Sequence, residues 1–388
     1  MKSILSLLYI HRFAALCFLT GIVLRFTVML FGHNYDFDSW KIVGEIASRL
    51  GNVYALTPRY NYAPVFLSLL GLGYKITAVF PHHIFFFRCF IISILTLADL
   101  GIACYIYKNM PRSTALTTAI LFFLNPISII ITGYHNQFDN IAVLLVLIAA
   151  TFYNASKNFT IRDILFIFFL TLSLLTKHLA VFFLFWLFIR DDLPFSKKLA
   201  YICVPVLLFL TSFIPFWRGA DGIINNVFIY GSHNNFPLLR PFLELLHVPS
   251  VLYIAIFITL LCTAGLYFRA MPLKKSIILY TICLTAFSSA IANQYLVIPL
   301  AGLFILTRYT KYFYILVIGI YLILKEFFSI IMRQAPFPFA EASTPGIICF
   351  DFYQIAVYIL LFTIIKCYLG SLKSTNKQPI DSKSGHFI

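Results

Sequence analysis

Two carboxylates stand two residues apart in His33-Asn34-Tyr35-Asp36-Phe37-Asp38-Ser39-Trp40, a polar stretch directly after the first long apolar run. Acidic side chains next to hydrocarbon are costly, which argues for a purpose. In an extended segment Asp36 and Asp38 would face the same way and could form one acid–base or cation site. The other reading is a helix that begins near Trp40, with Asp38 or Ser39 at its N-cap. Further along, Arg59-Tyr60-Asn61-Tyr62-Ala63-Pro64 reads as an interfacial aromatic cluster with Pro at a helix start. Asn125-Pro126 breaks an apolar run and is followed by Gly133-Tyr134-His135-Asn136-Gln137-Phe138-Asp139-Asn140. That run is denser in polar groups than a turn requires. Its His, Asn, Gln and Asp can bind sugar hydroxyls or order a catalytic carboxylate. Lys177-His178 lies between two apolar runs, where a cation pair calls for an anion such as a phosphate or for snorkelling to the interface. Phe216-Trp217-Arg218-Gly219 and Asn293-Gln294-Tyr295 complete the polar interruptions.

The elements that must position these groups are membrane helices. The chain is 61% apolar and 11% charged over 388 residues, and its apolar runs recur without the strict alternation of a membrane β-barrel. About twelve spans are expected, at 12–31, 85–107, 113–131, 140–155, 162–176, 179–190, 199–217, 249–267, 276–292, 295–307, 311–330 and 347–367. The stretch 63–80 is taken as a helix lying in or dipping into the interface. With the N-terminus in the cytoplasm, the larger share of the 29 Lys and Arg falls on the inner side, as the positive-inside rule requires. The loop carboxylates and amides then gather on the outer side, in large loops at 32–84 and 218–248. Residues 1–371 read as one all-α transmembrane domain and 372–388 as a polar cytoplasmic tail. The net charge of +15 is spread over many loops, so topology rather than nucleic acid accounts for it. The eight Cys stand singly and never as CxxC, so no metal or redox motif is expected.

In this order, the patches resemble the GT-C membrane glycosyltransferases, most closely the dolichyl-phosphate-glucose glucosyltransferases of asparagine-linked glycan assembly (glycosyltransferase family 57) and their bacterial relatives. Asp36-Phe37 is similar to that family's Asp-Phe-Glu, and Tyr60-Asn61-Tyr62-Ala63-Pro64 to its Leu-Asp-Tyr-Pro-Pro. Asn125-Pro126 with His135-Asn136-Gln137-Phe138-Asp139-Asn140 resembles its Asn-Pro and His-Phe-Gln-Tyr-Asn. Thr176-Lys177-His178 resembles its Phe-Lys-His, and Phe213-Ile214-Pro215-Phe216-Trp217-Arg218-Gly219 its Leu-Phe-Pro-Phe-Ala-Arg-Gly.

The resemblance implies a GT-C fold with a large first outer loop and inverting transfer of a hexose from a polyprenyl-phosphate donor. The acceptor would be a lipid-linked oligosaccharide or cell-surface glycan. It makes Asp36 the general base, with Asp38 as substitute if the register is off by two. Lys177, His178 and Arg218 would neutralise the lipid phosphate. His135, Asn136, Gln137, Asp139, Tyr62, Gln294 and Tyr295 would contact the substrates or position the base. No cofactor is required, although Asp36 and Asp38 leave room for a divalent ion. The partners are thus the donor, the acceptor and the lipid bilayer, with no nucleic acid. A bacterial inner membrane with a periplasmic site is favoured, and an ER membrane with a luminal site is its eukaryotic equivalent. A transporter or flippase of sugars or lipid-linked sugars is the alternative, with Arg25 and Asp99 as its within-span charges. Asn61 and Ala63 depart from the family pattern, which also raises a non-catalytic subunit of the same fold.

Overall fold

The computed structural model describes residues 2–229, 239–289, 292–334 and 346–375. Among them every regular element is a helix, and five helices are long and apolar enough to cross a membrane, or six if one bent pair counts as a single span. The protein is thus a helical membrane protein.

The chain starts with α1 (Lys2–Met29). The first large loop then folds as α2 (Tyr35–Ser48), the short α3 (Val53–Leu56) and α4 (Pro64–Thr77). α4 is the helix expected over 63–80. Its 14 residues span about 21 Å at 1.5 Å each, short of a roughly 30 Å hydrocarbon core, and it packs along α2. α5 (His83–Asn109) and α6 (Arg112–Phe123) follow. The break expected at Pro126 falls at Leu124 and Asn125. Asn125 caps the new helix α7 (Pro126–Ile130), its Oδ1 accepting from the Ser128 amide at 2.8 Å, and Pro126 stands at the first turn, where its missing N–H does no harm. A π-helical turn, Ile131–His135, completes the rod.

α8 (Asp139–Phe152), α9 (Ile161–Thr176), α10 (Phe183–Phe188) and α11 (Phe195–Thr211) come next. Beyond them lie α12 (Ala220–Ile223), α13 (Arg240–Leu245), α14 (Tyr253–Tyr267) and α15 (Leu273–Phe287). α16 (Leu300–Leu306), α17 (Thr310–Gln334) and α18 (Gly346–Thr375) end the described chain. The two shortest expected spans are not continuous α-helices. The stretch 179–190 is a 3-10 turn, His178–Ala180, followed by the six-residue α10. The stretch 295–307 is a 3-10 turn, Asn293–Val297, before the seven-residue α16. In both, polar residues at the start take the backbone out of the α-helical path. The expected boundary of the tail also shifts, because α18 runs through 372–375; residues 376–388 lie outside the described residues.

Ion pairs fix the direction of the short helices. At one end of the bundle Lys197 Nζ meets Asp163 Oδ1 at 2.6 Å, and Tyr201 donates to the same carboxylate. Nearby, Arg190 Nε and Tyr153 Oη reach Asp192 at 2.7 and 2.8 Å. Burial opposes charge on Asp192, but the bonds from Arg190 and Tyr153 outweigh it and hold the carboxyl below its ordinary range. The start of α9, the end of α10 and the start of α11 therefore share one end. Lys177 and His178, at the turn between α9 and α10, lie at the other.

Two of the charges inside the spans, Arg25 and Asp99, pair with each other. Arg25 Nη2 sits 2.8 Å from Asp99 Oδ2, and both side chains are fully buried. Ser128, Thr132 and Asn140 donate to the same carboxylate, so the cluster ties α1, α5, α7 and α8 together. Gly133 permits the close approach of α1: a Cβ there would stand 2.4 Å from the Arg25 carbonyl oxygen and from Val28 Cγ2. Gly133→Ala is expected to cost about 1–3 kcal/mol through overpacking against backbone that cannot retreat, read as a lower melting temperature of the detergent-solubilised protein.

Candidate functional site

At the end of the bundle opposite Asp163, the polar patches come together. The first helical turn holds both early carboxylates, because α2 begins at Tyr35 and its N-cap is Asn34, not Asp38 or Ser39 as the sequence suggested. The Asn34 Oδ1 accepts from the Asp36 amide at 3.1 Å, the usual way an Asn satisfies an orphan donor at a helix start. On a helix, residues two apart diverge by about 200°. Asp36 and Asp38 accordingly have different partners and do not form the shared site of an extended segment. Asp36 Oδ2 accepts from Asn34 Nδ2 at 2.7 Å, whereas Asp38 pairs with Lys41 at 2.6 Å and lies 3.8 Å from His33 Nδ1.

The turn after the π-helical segment is held from several sides. Asn136 takes a left-handed conformation (φ 57°), which Asn tolerates better than most residues. Its side-chain oxygen accepts from Arg88 Nε at 2.9 Å, and its amide donates to the Thr132 and Gly133 carbonyls. Trp40 Nε1 donates to its carbonyl at 3.1 Å. Arg88 also reaches the carbonyls of Met29 at 2.8 Å and Gly32 at 2.6 Å. Asn136 is fully buried and organises this turn, away from any open surface. Its neighbour His135 faces the other way, with Nδ1 3.1 Å from Asn34 Nδ2 and Nε2 2.9 Å from Glu326 Oε1. Gln137 is buried as well, and its Oε1 has no hydrogen-bond partner.

A cleft of about 170 Å³ opens beside this turn, lined by Tyr62, Lys177, His178, Thr285, Ser288 and Tyr295 among others. The anion that stabilises Lys177 belongs to the chain itself: its Nζ lies 2.7 Å from Asp139 Oδ1, and both groups are buried. Three rings, of Tyr62, Phe138 and Tyr295, each stand 5.2 Å from the same nitrogen, a range in which a ring face attracts a cation. The opposite carboxylate oxygen, Asp139 Oδ2, and His178 Nδ1 are buried without hydrogen-bond partners.

The loop that supplies Tyr62 is fastened by phenols. Tyr54 donates to the Tyr62 carbonyl at 2.8 Å, and Tyr60 to the Ala63 carbonyl at 2.9 Å. Burial pushes both phenols up from their ordinary range, so both remain donors.

Arg218 does not join Lys177 and His178. It lines a separate hollow of about 360 Å³ with Tyr54–Pro58, Asp221 and Asn226. The 3-10 turn Ile214–Gly219 carries it and folds onto α3, where Asn52 Nδ2 donates to the Phe216 carbonyl at 3.0 Å. Gln294 is half-buried in the turn that supplies Tyr295, and Asn293 beside it accepts from Tyr321 at 3.0 Å. Sequence reasoning gave no site role to Asn34, Arg88, Asn293 and Glu326. The signal for Glu326 was present, a lone carboxylate inside an apolar run.

No protein-family model, curated protein or solved structure matches this chain.

Proposed function

We propose that the protein is an inverting membrane glycosyltransferase that takes a hexose from a polyprenyl-phosphate donor. One observation carries the reading. Segments around residues 36, 62, 135–139, 177–178 and 295, far apart in the chain, meet at one end of the bundle: the half-buried Asp36 carboxylate is joined through Asn34 to His135, and the same polypeptide turn leads to Phe138 and Asp139, which pack on Tyr62 and Lys177 of a cleft that also bears an unpartnered histidine nitrogen. The helical membrane architecture, with five or six helices among the described residues long and apolar enough to cross, fits the same reading.

In this account Asp36 accepts the proton of the acceptor hydroxyl as that oxygen bonds to the anomeric carbon. The bond from that carbon to the phosphate oxygen breaks, and the electron pair leaves with the lipid phosphate. Lys177 has two N–H donors beyond the one given to Asp139, and with His178 they receive the growing charge. The apolar wall of the cleft, Leu179, Leu284 and Ile298, suits the first isoprene unit. Arg218 is left to the acceptor side, and the divalent ion considered for Asp36 and Asp38 has no role. We place the site on the outer side of the membrane by the positive-inside argument, which in a bacterial inner membrane is the periplasmic face. The within-span charges that could serve a transporter, Arg25 and Asp99, direct their hydrogen bonds to each other and to neighbouring hydroxyls and amides.

Donor class tests the reading. Membranes containing the protein are expected to transfer labelled hexose from a panel of short-chain polyprenyl-phosphate hexoses to endogenous glycans and to ignore nucleotide sugars. Transfer from nucleotide sugars alone would replace the proposed donor, and no transfer from any donor would remove the enzyme reading.

A further inference from the structure

Asp36 has two carboxylate oxygens, and the hydrogen bonds around it treat them differently. Asn34 Nδ2 lies 2.7 Å from Asp36 Oδ2 and 3.1 Å from His135 Nδ1, and His135 Nε2 lies 2.9 Å from Glu326 Oε1. The directions of these bonds follow from donor chemistry alone. Asn34 Oδ1 accepts from the Asp36 amide, so the other end of that side chain is the NH2 group, and its two hydrogens serve Asp36 Oδ2 and His135 Nδ1. His135 Nδ1 must then accept. The imidazole is consequently the tautomer that carries its hydrogen on Nε2, and that hydrogen is donated to Glu326. The tautomer of a histidine is set by the bond its other nitrogen makes, and here that bond ends on a half-buried carboxylate carried by α17.

We propose that Glu326 is a positioning residue for Asp36, acting through His135 and Asn34. Glu326 selects the His135 tautomer, the tautomer presents a lone pair to the Asn34 amide, and the amide is thereby held with its second hydrogen on Asp36 Oδ2. Oδ2 is engaged and turned inward. Oδ1 is the oxygen left to take the proton from the acceptor. Without the anion at 326, His135 could place its hydrogen on Nδ1, opposing the Asn34 N–H and releasing the carboxylate to rotate. The relay crosses from α17 to the first loop, so a residue nearly 300 positions away sets the orientation of the base. This inference rests on the transferase reading.

The test measures kcat and KM for transfer by the purified full chain, using a polyprenyl-phosphate hexose that the wild type accepts. Glu326→Leu is expected to lower kcat about tenfold to a hundredfold with donor KM within about twofold, since a misoriented base weakens only the transition state. Glu326→Gln keeps an acceptor for the Nε2 hydrogen and is expected to recover most of the loss. His135→Ala removes the middle of the relay, so adding Glu326→Leu to it is expected to cause no further decrease in kcat. Three results overturn the inference: unchanged kcat in Glu326→Leu, a rise in KM that accounts for the whole loss, or multiplying effects of Glu326→Leu and His135→Ala. A wild type that transfers nothing overturns the transferase reading itself and leaves the hydrogen-bond relay to be judged by the 15N shifts of His135, which report hydrogen on Nε2 if it holds and on Nδ1 if it does not.

Discussion

Asp36→Asn is expected to abolish transfer, lowering kcat by about 10²–10⁴-fold, the range that a positioned general base contributes. The substitution keeps the size of the side chain. An amide can still accept from Asn34 Nδ2 through its oxygen, so the N-terminus of α2 and its cap should persist. What is lost is the ability to take a proton from the attacking hydroxyl. Thermal stability near that of the wild type, with KM little changed, would assign the defect to the chemical step. Asp38→Asn is the companion variant. Asp38 pairs with Lys41 on the other side of the helix and is 40% exposed, so its loss is expected to change stability by at most about 1 kcal/mol and kcat by less than about threefold. Equal losses in the two variants would contradict the assignment of the base to Asp36.

The largest effect on stability is expected at Asp99. Asp99→Leu would leave the Arg25 guanidinium fully buried with no anion, and would strip acceptors from Ser128, Thr132 and Asn140. Breaking a buried pair by removing one partner costs about 3–5 kcal/mol. The melting temperature in detergent should drop, and the yield of folded protein with it. Arg25→Met combined with Asp99→Leu should recover a substantial part of the loss, because replacing both members by apolar groups is far milder than orphaning one. If the single variant melts like the wild type, the cluster does not hold α1, α5, α7 and α8 together as described.

The membrane class and the helical architecture were legible from the apolar runs, and most residues of the candidate site were singled out by the polar groups that interrupt them. Continuity was not legible. An apolar stretch around Leu179–Arg190 reads as one span, whereas Lys177 and His178 turn the backbone and leave only a six-residue α-helix. The same holds at Asn293, where the 3-10 turn replaces the expected α-helix. Hydropathy measures length and cannot see where a polar side chain bends the path. Asp36 and Asp38 were recognised, but the strongest cap in that stretch, Asn34, lies before them, and it put both on a helix rather than in an extended segment.

Pairings across the fold were equally hidden. Lys177 and Asp139 were each singled out, yet they are 38 residues apart, and no periodicity within one element connects them. A phosphate was expected to stabilise Lys177, but Asp139 already does so. Arg218 was grouped with Lys177 by charge, and the folding of the second large loop onto α3 separated them. Glu326 was passed over for the opposite reason. It sits in an apolar helix with no neighbouring motif, and only the approach of α17 to the His135 turn gives it a partner.

The most direct measurement is the anomeric configuration of the product made by the purified protein in lipid nanodiscs. The account has one displacement, with the acceptor oxygen arriving opposite the departing phosphate and Asp36 receiving its proton, so a β-linked polyprenyl-phosphate hexose must yield an α-linked product that disappears with Asp36→Asn. A β-linked product, or transfer that survives Asp36→Asn undiminished, would contradict it.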